Sequence, residues 1–345
     1  MTRAVVICPG RGTYNKTELG SLSRLHADKA DLFAGFDLQR LKAGQDTLVD
    51  LDGANRYSLA RHTRGDNASA LIYAASYADF LSLQDVEVVA VTGNSMGWYT
   101  TLACSGAVSP DTGFNLVNTM GQLMQDSLIG GQLVYPIVGD DWRPSPSRRK
   151  AVFELVAQID GTDGCTLGLS IDLGGLLVLA GNAAGLDAFI AKAQPIDRFP
   201  MQLANHAGFH TALQQPVSAA ARGLFDVGML TQPTLPMIDG RGAIWWPHAT
   251  DLEALFAYTL GHQVVEPFDF CRAINVAAHE FAPELFIVLG PGSTLGGAVA
   301  QSLISSNWQG METKETFQTL QSAKPFLVSI GRDDQRSLVT RKQPL

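Results

Sequence analysis

The residues most able to do chemistry lie in the stretch GNSMG, residues 93–97, which places Ser95 between two glycines. This stretch follows the β-branched run VEVVAVT, residues 86–92, and precedes apolar residues at helical spacing as far as about residue 105. A serine at a sharp strand-to-helix turn has an exposed hydroxyl, and the N-terminus of the following helix stabilises developing negative charge. The pattern therefore makes Ser95 a candidate nucleophile, although an ordinary Gly-Ser turn has the same composition.

The elements around this turn predict a parallel sheet covered by helices. A second β-branched run, AVVIC at residues 4–8, ends in PGRG, and a later strand occupies ELFIVLGPG at residues 284–292. Continuous apolar strands of this kind are typical of a parallel sheet with both faces buried. Residues 67–83 have apolar side chains at helical spacing, which favours a βαβ unit, and Pro110 is a natural first residue for a further helix.

The pattern changes between residues 132 and 200, where predicted strands alternate with predicted helices. The four segments are QLVYPIVG, RRKAVFELVAQI, GLLVLAG and AAGLDAFIAKA. A β-α-β-α run of about 70 residues can form a compact inserted subdomain. We therefore expect a large catalytic subdomain over 1–131 and 201–310, a small one over 132–200, and a polar C-terminal extension over 311–345 that either docks on the surface or stays mobile.

Composition excludes several classes of function. The 345-residue chain is 46% hydrophobic and has a net charge of −8, so it can bury a large core but lacks the excess of basic residues that nucleic-acid binding needs. The one dense basic cluster, SRRK at residues 147–150, is interpreted as a solvated loop. Four scattered cysteines indicate neither a disulfide framework nor a metal site. No run reaches the roughly 20 apolar residues of a membrane span, so we expect a cytoplasmic monomer without nucleic-acid or membrane partners.

Four separated stretches, taken in order, resemble the malonyl-CoA:acyl carrier protein transacylases and the related acyltransferase domains of polyketide synthases. They are CPGRGTY at 8–14, GNSMGWYTTLACSGAVS at 93–109, AGFHTALQQP at 207–216, and HQVVEPFDF at 262–270 with VLGPGSTLGG at 288–297. The resemblance implies an α/β fold with a large α/β-hydrolase-like parallel-sheet subdomain and an inserted small ferredoxin-like α+β subdomain.

The same resemblance implies a Ser-His dyad. Ser95 would accept the acyl group, and His210 would act as its general base. The backbone carbonyl of Gln263 would orient His210 in place of a third side chain. His206, four residues earlier, is the competing candidate for the base, with packing or surface exposure as its alternative role.

The resemblance also places an oxyanion hole and part of the acyl pocket. The backbone N–H groups of Arg11 and Met96 would face the tetrahedral intermediate. The Arg11 side chain either faces solvent or supplies a positive charge to the pocket. Phe209 matches the malonyl-type motif, but it can equally limit the width of a pocket for an unbranched monocarboxylic acyl chain.

Four other positions depart from the family pattern and indicate an uncharged acyl group. Met120 stands where the family has a carboxylate-binding arginine. Asn94 and Trp98 replace a histidine and a glutamate beside the nucleophile, and Leu176 replaces a pocket glutamine. A carboxylate buried without a charged partner is strongly penalised, so we expect these residues to select against malonyl groups.

The predicted function is acyl transfer from acyl-CoA or acyl carrier protein through Ser95 to a phosphopantetheine thiol, in fatty acid or polyketide biosynthesis. Coenzyme A and phosphopantetheine thioesters would be substrates, with no bound cofactor. Two alternatives stay open: an acyl hydrolase that resolves the acyl-serine with water, and a weakly catalytic module that binds carrier proteins. Carrier proteins are acidic, so residues 147–150 could contribute to a docking patch.

Overall fold

The computed structural model describes residues 1–340, which form eleven strands and sixteen α-helices, with several short 3₁₀ segments and a π-helical turn between them. The strands are β1 (Thr2–Cys8), β2 (Val86–Gly93), β3 (Gly131–Pro136), β4 (Leu167–Asp172), β5 (Leu176–Gly181), β6 (Met201–Gln202), β7 (Met237–Ile238), β8 (Ile244–Trp245), β9 (Phe268–Asp269), β10 (Leu285–Val288) and β11 (Leu327–Ser329).

The helices fall between these strands. They are α1 (Ser21–Leu25), α2 (Ala30–Lys42), α3 (Leu48–Asp52), α4 (Leu59–His62), α5 (Gly65–Leu81), α6 (Gly97–Cys104), α7 (Pro110–Ser127), α8 (Pro146–Asp160), α9 (Ala183–Lys192), α10 (Gln215–Leu224), α11 (Leu252–Ala257), α12 (Gln263–Val265), α13 (Phe270–Phe281), α14 (Leu295–Ser305), α15 (Lys314–Ala323) and α16 (Asp333–Arg336).

The main sheet has the order β11-β10-β1-β2-β7-β8 and is parallel except for the β7–β8 pair. Strand β1 is buried on both faces, as its continuous apolar run predicts. Ala4 and Val6 pack in the core with α5, α6 and α7, while Val5 and Ile7 pack in the core with α13 and α14. The helices therefore cover the two faces, and Ser95 follows a central strand of the sheet.

The small sheet has the order β6-β3-β5-β4-β9. Its first four strands, with α8 and α9, form a β-α-β-β-α-β run in the ferredoxin-like arrangement, which confirms the expected fold class. Strand β4 is missing from the sequence prediction, which considered continuous apolar runs, although the alternation of Leu167, Leu169 and Ile171 with smaller or polar residues is typical of a strand. Strand β9 comes from the chain beyond residue 201 and pairs with β4, so the two subdomains share this sheet edge.

The structure gives positions to two segments that the sequence did not place: part of the C-terminal extension and the basic cluster at 147–150. Strand β11, within the predicted C-terminal extension, pairs with β10 at the edge of the main sheet. The basic cluster at 147–150 lies in the first turns of α8 and is not a loop, because Ser145 caps that helix and Pro146 begins it. Arg149 in this cluster forms an ion pair with Asp172 at 2.6 Å. Across residues 1–340, no helix combines the length and apolar character needed to cross a membrane.

Candidate active site

Ser95 lies in the sharp turn between β2 and α6. Its φ of 55° is in the left-handed region, a strained conformation that is common at functional turns. The flanking glycines are required by close backbone contact, since a Cβ on Gly97 would overlap the carbonyl of Cys8 and one on Gly93 would overlap Gly97. This packing sets the turn tightly against the end of β1.

The structure brings Ser95, His210 and Gln263 together in one hydrogen-bonded chain. Ser95 Oγ lies 2.7 Å from His210 Nε2, and His210 Nδ1 lies 2.7 Å from the Gln263 carbonyl oxygen. A carbonyl can only accept a hydrogen bond, so Nδ1 carries the proton and Nε2 is free to accept the serine hydroxyl proton. Burial lowers the pKa of His210 to about 4, against a smaller opposing effect of the Gln263 hydrogen bond. The imidazole is therefore neutral at neutral pH.

Gln263 also contacts the nucleophile turn through its side chain, which sequence reasoning did not identify. Its Nε2 donates to the carbonyl oxygen of Ser95 at 3.0 Å, and its Oε1 accepts from the Tyr99 hydroxyl at 3.1 Å. A π-helical turn at Tyr258–His262 leads directly into Gln263, and such turns occur frequently at functional sites. One residue thus holds both the serine backbone and the histidine ring.

The two N–H groups predicted for the oxyanion hole are both free. Within residues 1–340, neither the Arg11 nor the Met96 backbone N–H has a hydrogen-bond acceptor. The loops that carry them touch, since a Cβ on Gly10 would overlap the carbonyl oxygen of Asn94. Two unpaired donors next to a serine nucleophile are suited to stabilising an oxyanion, and that role stays a prediction.

A narrow, mostly apolar cavity lies beside Ser95. Its accessible volume is about 20 Å³, enough for about one water molecule. The lining residues are Arg11, Ser69, Ser95, Met96, Tyr99, Val117, Met120, Gly121, Met124, Phe209, His210, Gln263 and Val264. Met120 and Phe209 are therefore both part of the cavity wall.

Helix α7 contributes one continuous face of this wall. Val117, Met120, Gly121 and Met124 lie at the 3, 4 and 7 spacing of a single helical face. Only Met120 was identified from the sequence, although this periodicity would have found its three neighbours.

Arg11 is half-buried and does not simply face solvent. Its Nη2 donates to the carbonyl oxygens of Thr63 and Asn205 at 2.8 and 2.9 Å, and its Cζ lies 5.4 Å from the centre of the Phe209 ring. Its Nε is buried without a hydrogen-bond partner in the described part of the chain. Burial lowers the pKa of Arg11 to about 10, so the guanidinium remains charged at neutral pH.

Asn94, Trp98 and Leu176 are not brought to the cavity wall. Trp98 is fully buried, and its Nε1 donates to Thr259 Oγ1 at 3.0 Å. Leu176 begins β5 and packs against the core between the two subdomains. Asn94 donates its backbone N–H to Cys8. Of the four departures from the family pattern, Met120 alone lies in the cavity wall, where its neighbours on α7 include Val117 and Met124.

His206 contacts the small subdomain instead of the nucleophile. Its Nδ1 lies 2.8 Å from Gln132 Oε1, and no hydrogen bond in residues 1–340 joins it to Ser95. Burial and the nearby Arg11 charge lower the pKa of His206 well below its ordinary value. The geometry favours His210 as the base.

The two-subdomain fold is similar to that of solved proteins named as acyl-carrier-protein malonyltransferases and malonyl-transacylases. An acyl-carrier-protein S-malonyltransferase from Burkholderia pseudomallei superposes with a TM-score of 0.75 at 21% identity, covering 98% of this chain and 99% of that one. A malonyl-transacylase in complex with its type II polyketide synthase acyl carrier protein superposes with a TM-score of 0.71 at 20% identity, covering 88% and 94%.

The sequence comparison points to the same group of proteins. The malonyl-CoA:acyl carrier protein transacylase of Bacillus subtilis (strain 168) is 23% identical over 211 residues, which cover 60% of this chain. The matched region spans 62% of that relative's length. No protein-family model matches the chain. The resemblance expected from the four sequence stretches is thereby confirmed.

The separate environments of the two histidines predict different effects of their removal. His210→Ala should lower turnover by about 100- to 10,000-fold, because a positioned general base is lost. His206→Ala should be only mildly impaired, since this ring does not reach Ser95. Steady-state turnover of both variants checks this, with circular dichroism as a folding control. Greater impairment in His206→Ala would move the base to that residue.

The low pKa of His210 predicts the acid limb of the pH profile. The base works only when neutral, so kcat/KM should rise with pH through about 4 and level off above it. A histidine with its ordinary pKa of 6.5 would place the limb more than two units higher. Measuring kcat/KM from about pH 4 to pH 8, over the range where the protein stays folded, distinguishes these cases. A limb near 6.5 would contradict the assigned environment of His210.

Proposed function

We propose that this protein is an acyltransferase of fatty acid or polyketide biosynthesis. It moves an acyl group from a coenzyme A or carrier-protein thioester, through an ester on Ser95, to the phosphopantetheine thiol of an acyl carrier protein. The observation that carries this proposal is the chain from Ser95 Oγ through His210 to the Gln263 carbonyl, with both links at 2.7 Å. A carrier-protein partner is supported by the similar fold of the malonyl-transacylase solved with its own carrier protein.

The first half-reaction forms the acyl-serine. Ser95 Oγ attacks the thioester carbonyl carbon while His210 Nε2 takes the hydroxyl proton. The carbonyl oxygen becomes an oxyanion that accepts hydrogen bonds from the backbone N–H groups of Arg11 and Met96. The C–S bond then breaks, and the imidazolium gives its proton to the leaving thiolate.

The second half-reaction reverses these steps with a new thiol. The incoming phosphopantetheine thiol gives its proton to His210 and attacks the ester carbon of the acyl-serine. The Ser95 oxygen leaves and recovers its proton from the imidazolium. His210 is neutral before each attack because burial holds its pKa near 4, so it can accept a proton in both directions.

The cavity favours a short, uncharged acyl group. The space beside Ser95 is small, and the side chains of Met120 and Met124 line it. Methionine side chains are flexible enough for some adjustment. On the α7 side of the cavity a carboxylate would face the Met120 thioether, while Nη2 of Arg11 already donates to the carbonyl oxygens of Thr63 and Asn205. A carboxylate that gains no charged hydrogen-bonding partner loses roughly 2 to 5 kcal/mol.

The acyl preference can be measured by transfer to a phosphopantetheinylated carrier protein. We expect kcat/KM for acetyl-CoA to exceed that for malonyl-CoA by at least about tenfold, since about 1.4 kcal/mol corresponds to a factor of ten. Butyryl-CoA should fall below acetyl-CoA because the cavity is narrow. Met120→Arg should shift the preference toward malonyl-CoA, whereas the neutral control Met120→Leu should not.

Two outcomes would contradict parts of this proposal. If malonyl-CoA is the best substrate, the proposed preference for an uncharged acyl group is wrong and Arg11 is indicated as the residue that binds the carboxylate. Arg11→Gln should then abolish the activity with malonyl-CoA. Formation of the free acid instead of the acylated carrier protein, with the carrier protein present in excess, would show that the protein is a hydrolase and not a transferase.

A further inference from the structure

The loop that carries His210 is bonded to two buried side chains of the small sheet. Ser170 Oγ on β4 donates to the carbonyl oxygen of Phe209 at 2.8 Å. Gln132 Nε2 on β3 donates to Ser170 Oγ at 2.7 Å, and Gln132 Oε1 lies 2.8 Å from His206 Nδ1. Ser170 is fully buried and Gln132 is 2% exposed, so water does not compete for these bonds.

The Phe209 carbonyl group fixes the direction of every hydrogen bond in this series. The Phe209 carbonyl only accepts, so the Ser170 hydroxyl donates to it and must accept from Gln132. The amide NH₂ of Gln132 therefore faces Ser170, and its oxygen faces His206. His206 Nδ1 must then be the protonated nitrogen, which fixes the neutral tautomer of that ring.

The bonded carbonyl belongs to the peptide group that joins Phe209 to His210. The N–H of this same peptide donates to the Val264 carbonyl oxygen at 3.1 Å. The small subdomain thus holds one end of the peptide, and the segment beside Gln263 holds the other. His210 has a φ of 58° in the left-handed region, where a peptide held at only one end could turn away.

We propose that Ser170 and Gln132 are positioning residues that set the orientation of His210 by fixing the Phe209–His210 peptide. This inference rests on the role proposed for His210 as the general base. The small subdomain then contributes to the reaction by placing the base, although none of its side chains lines the cavity beside Ser95.

Other bonds keep the loop folded without these side chains. The backbone N–H of Leu203 donates to the Gln132 carbonyl oxygen at 2.9 Å, and that of Gly208 donates to the Ile129 carbonyl oxygen at 2.7 Å. Removing the Ser170 hydroxyl should therefore release one peptide and leave the path of the loop intact. A displacement of about 1 Å at a reacting group can cost as much as a hundredfold in rate.

The test compares Ser170→Ala with a matched control, Ser302→Ala. Ser302 is also fully buried, and its hydroxyl donates to the Ala298 carbonyl oxygen at 2.8 Å, but it lies on α14 outside the site. We expect Ser170→Ala to slow the reaction of Ser95 with phenylmethanesulfonyl fluoride by about 10- to 100-fold. The KM for acyl-CoA should stay near that of the protein without the substitution. Ser302→Ala should react normally, and Ser170→Thr, which keeps the hydroxyl, should recover most of the rate.

A second readout does not depend on activity. In protein labelled with ¹⁵N-histidine, an NMR titration should show the His210 pKa rising toward 6.5 in Ser170→Ala, because the released ring becomes hydrated. His262, the neighbouring titratable group that lowers this pKa, is unchanged in the variant. An unchanged titration and labelling rate in Ser170→Ala, or equal losses in Ser302→Ala, would overturn the positioning role. If Ser95 is not labelled even in the protein without substitutions, while Ser170→Ala still shifts the His210 titration, the proposed function is wrong and the positioning of His210 by Ser170 is retained.

Discussion

The hydrogen bond from His210 to the Gln263 carbonyl is the constraint on which the site depends. A backbone carbonyl has no proton to give, so the imidazole is held with its accepting nitrogen toward Ser95. A carbonyl also carries no net charge, and the buried ring stays neutral with a pKa near 4. Gln263 also bonds the Ser95 backbone through its side chain, so the proposed base and the proposed nucleophile are both held by this residue.

The fold brings these three segments together through both sheets. Strand β2 ends at the nucleophile turn, and the close contact of Gly97 with Cys8 holds that turn against β1. The proposed base, His210, lies on a loop that begins directly after β6, an edge strand of the small sheet. Because Ser170 and Val264 hold opposite ends of one peptide, the orientation of His210 depends on how the subdomains meet. The inserted subdomain therefore helps to fix the orientation of the proposed base.

Much of this organisation could be predicted from the sequence, and the failures have physical reasons. Continuous apolar runs predicted β1, β2 and β10, whereas β4 has an alternating pattern that a search for continuous runs does not find. Motifs led to Ser95, His210 and Gln263, which the structure brings together. The chain from Gln132 to Ser170 to Phe209 joins residues 38 and 39 positions apart, and no local pattern encodes such contacts. Trp98 was expected at the cavity, but Tyr99, one helical turn beyond Ser95, occupies that wall instead.

Every step of the proposed reaction passes through an acyl group on Ser95, and peptide mapping of the trapped intermediate shows whether that group forms there. The protein would be mixed briefly with acetyl-CoA, quenched in acid, digested, and sequenced by tandem mass spectrometry, with Ser95→Ala treated in parallel. The account predicts a single acetyl ester on Ser95 that disappears in Ser95→Ala and when a phosphopantetheine thiol is added before the quench. An acetyl group on another residue, or an equal adduct in Ser95→Ala, would contradict it.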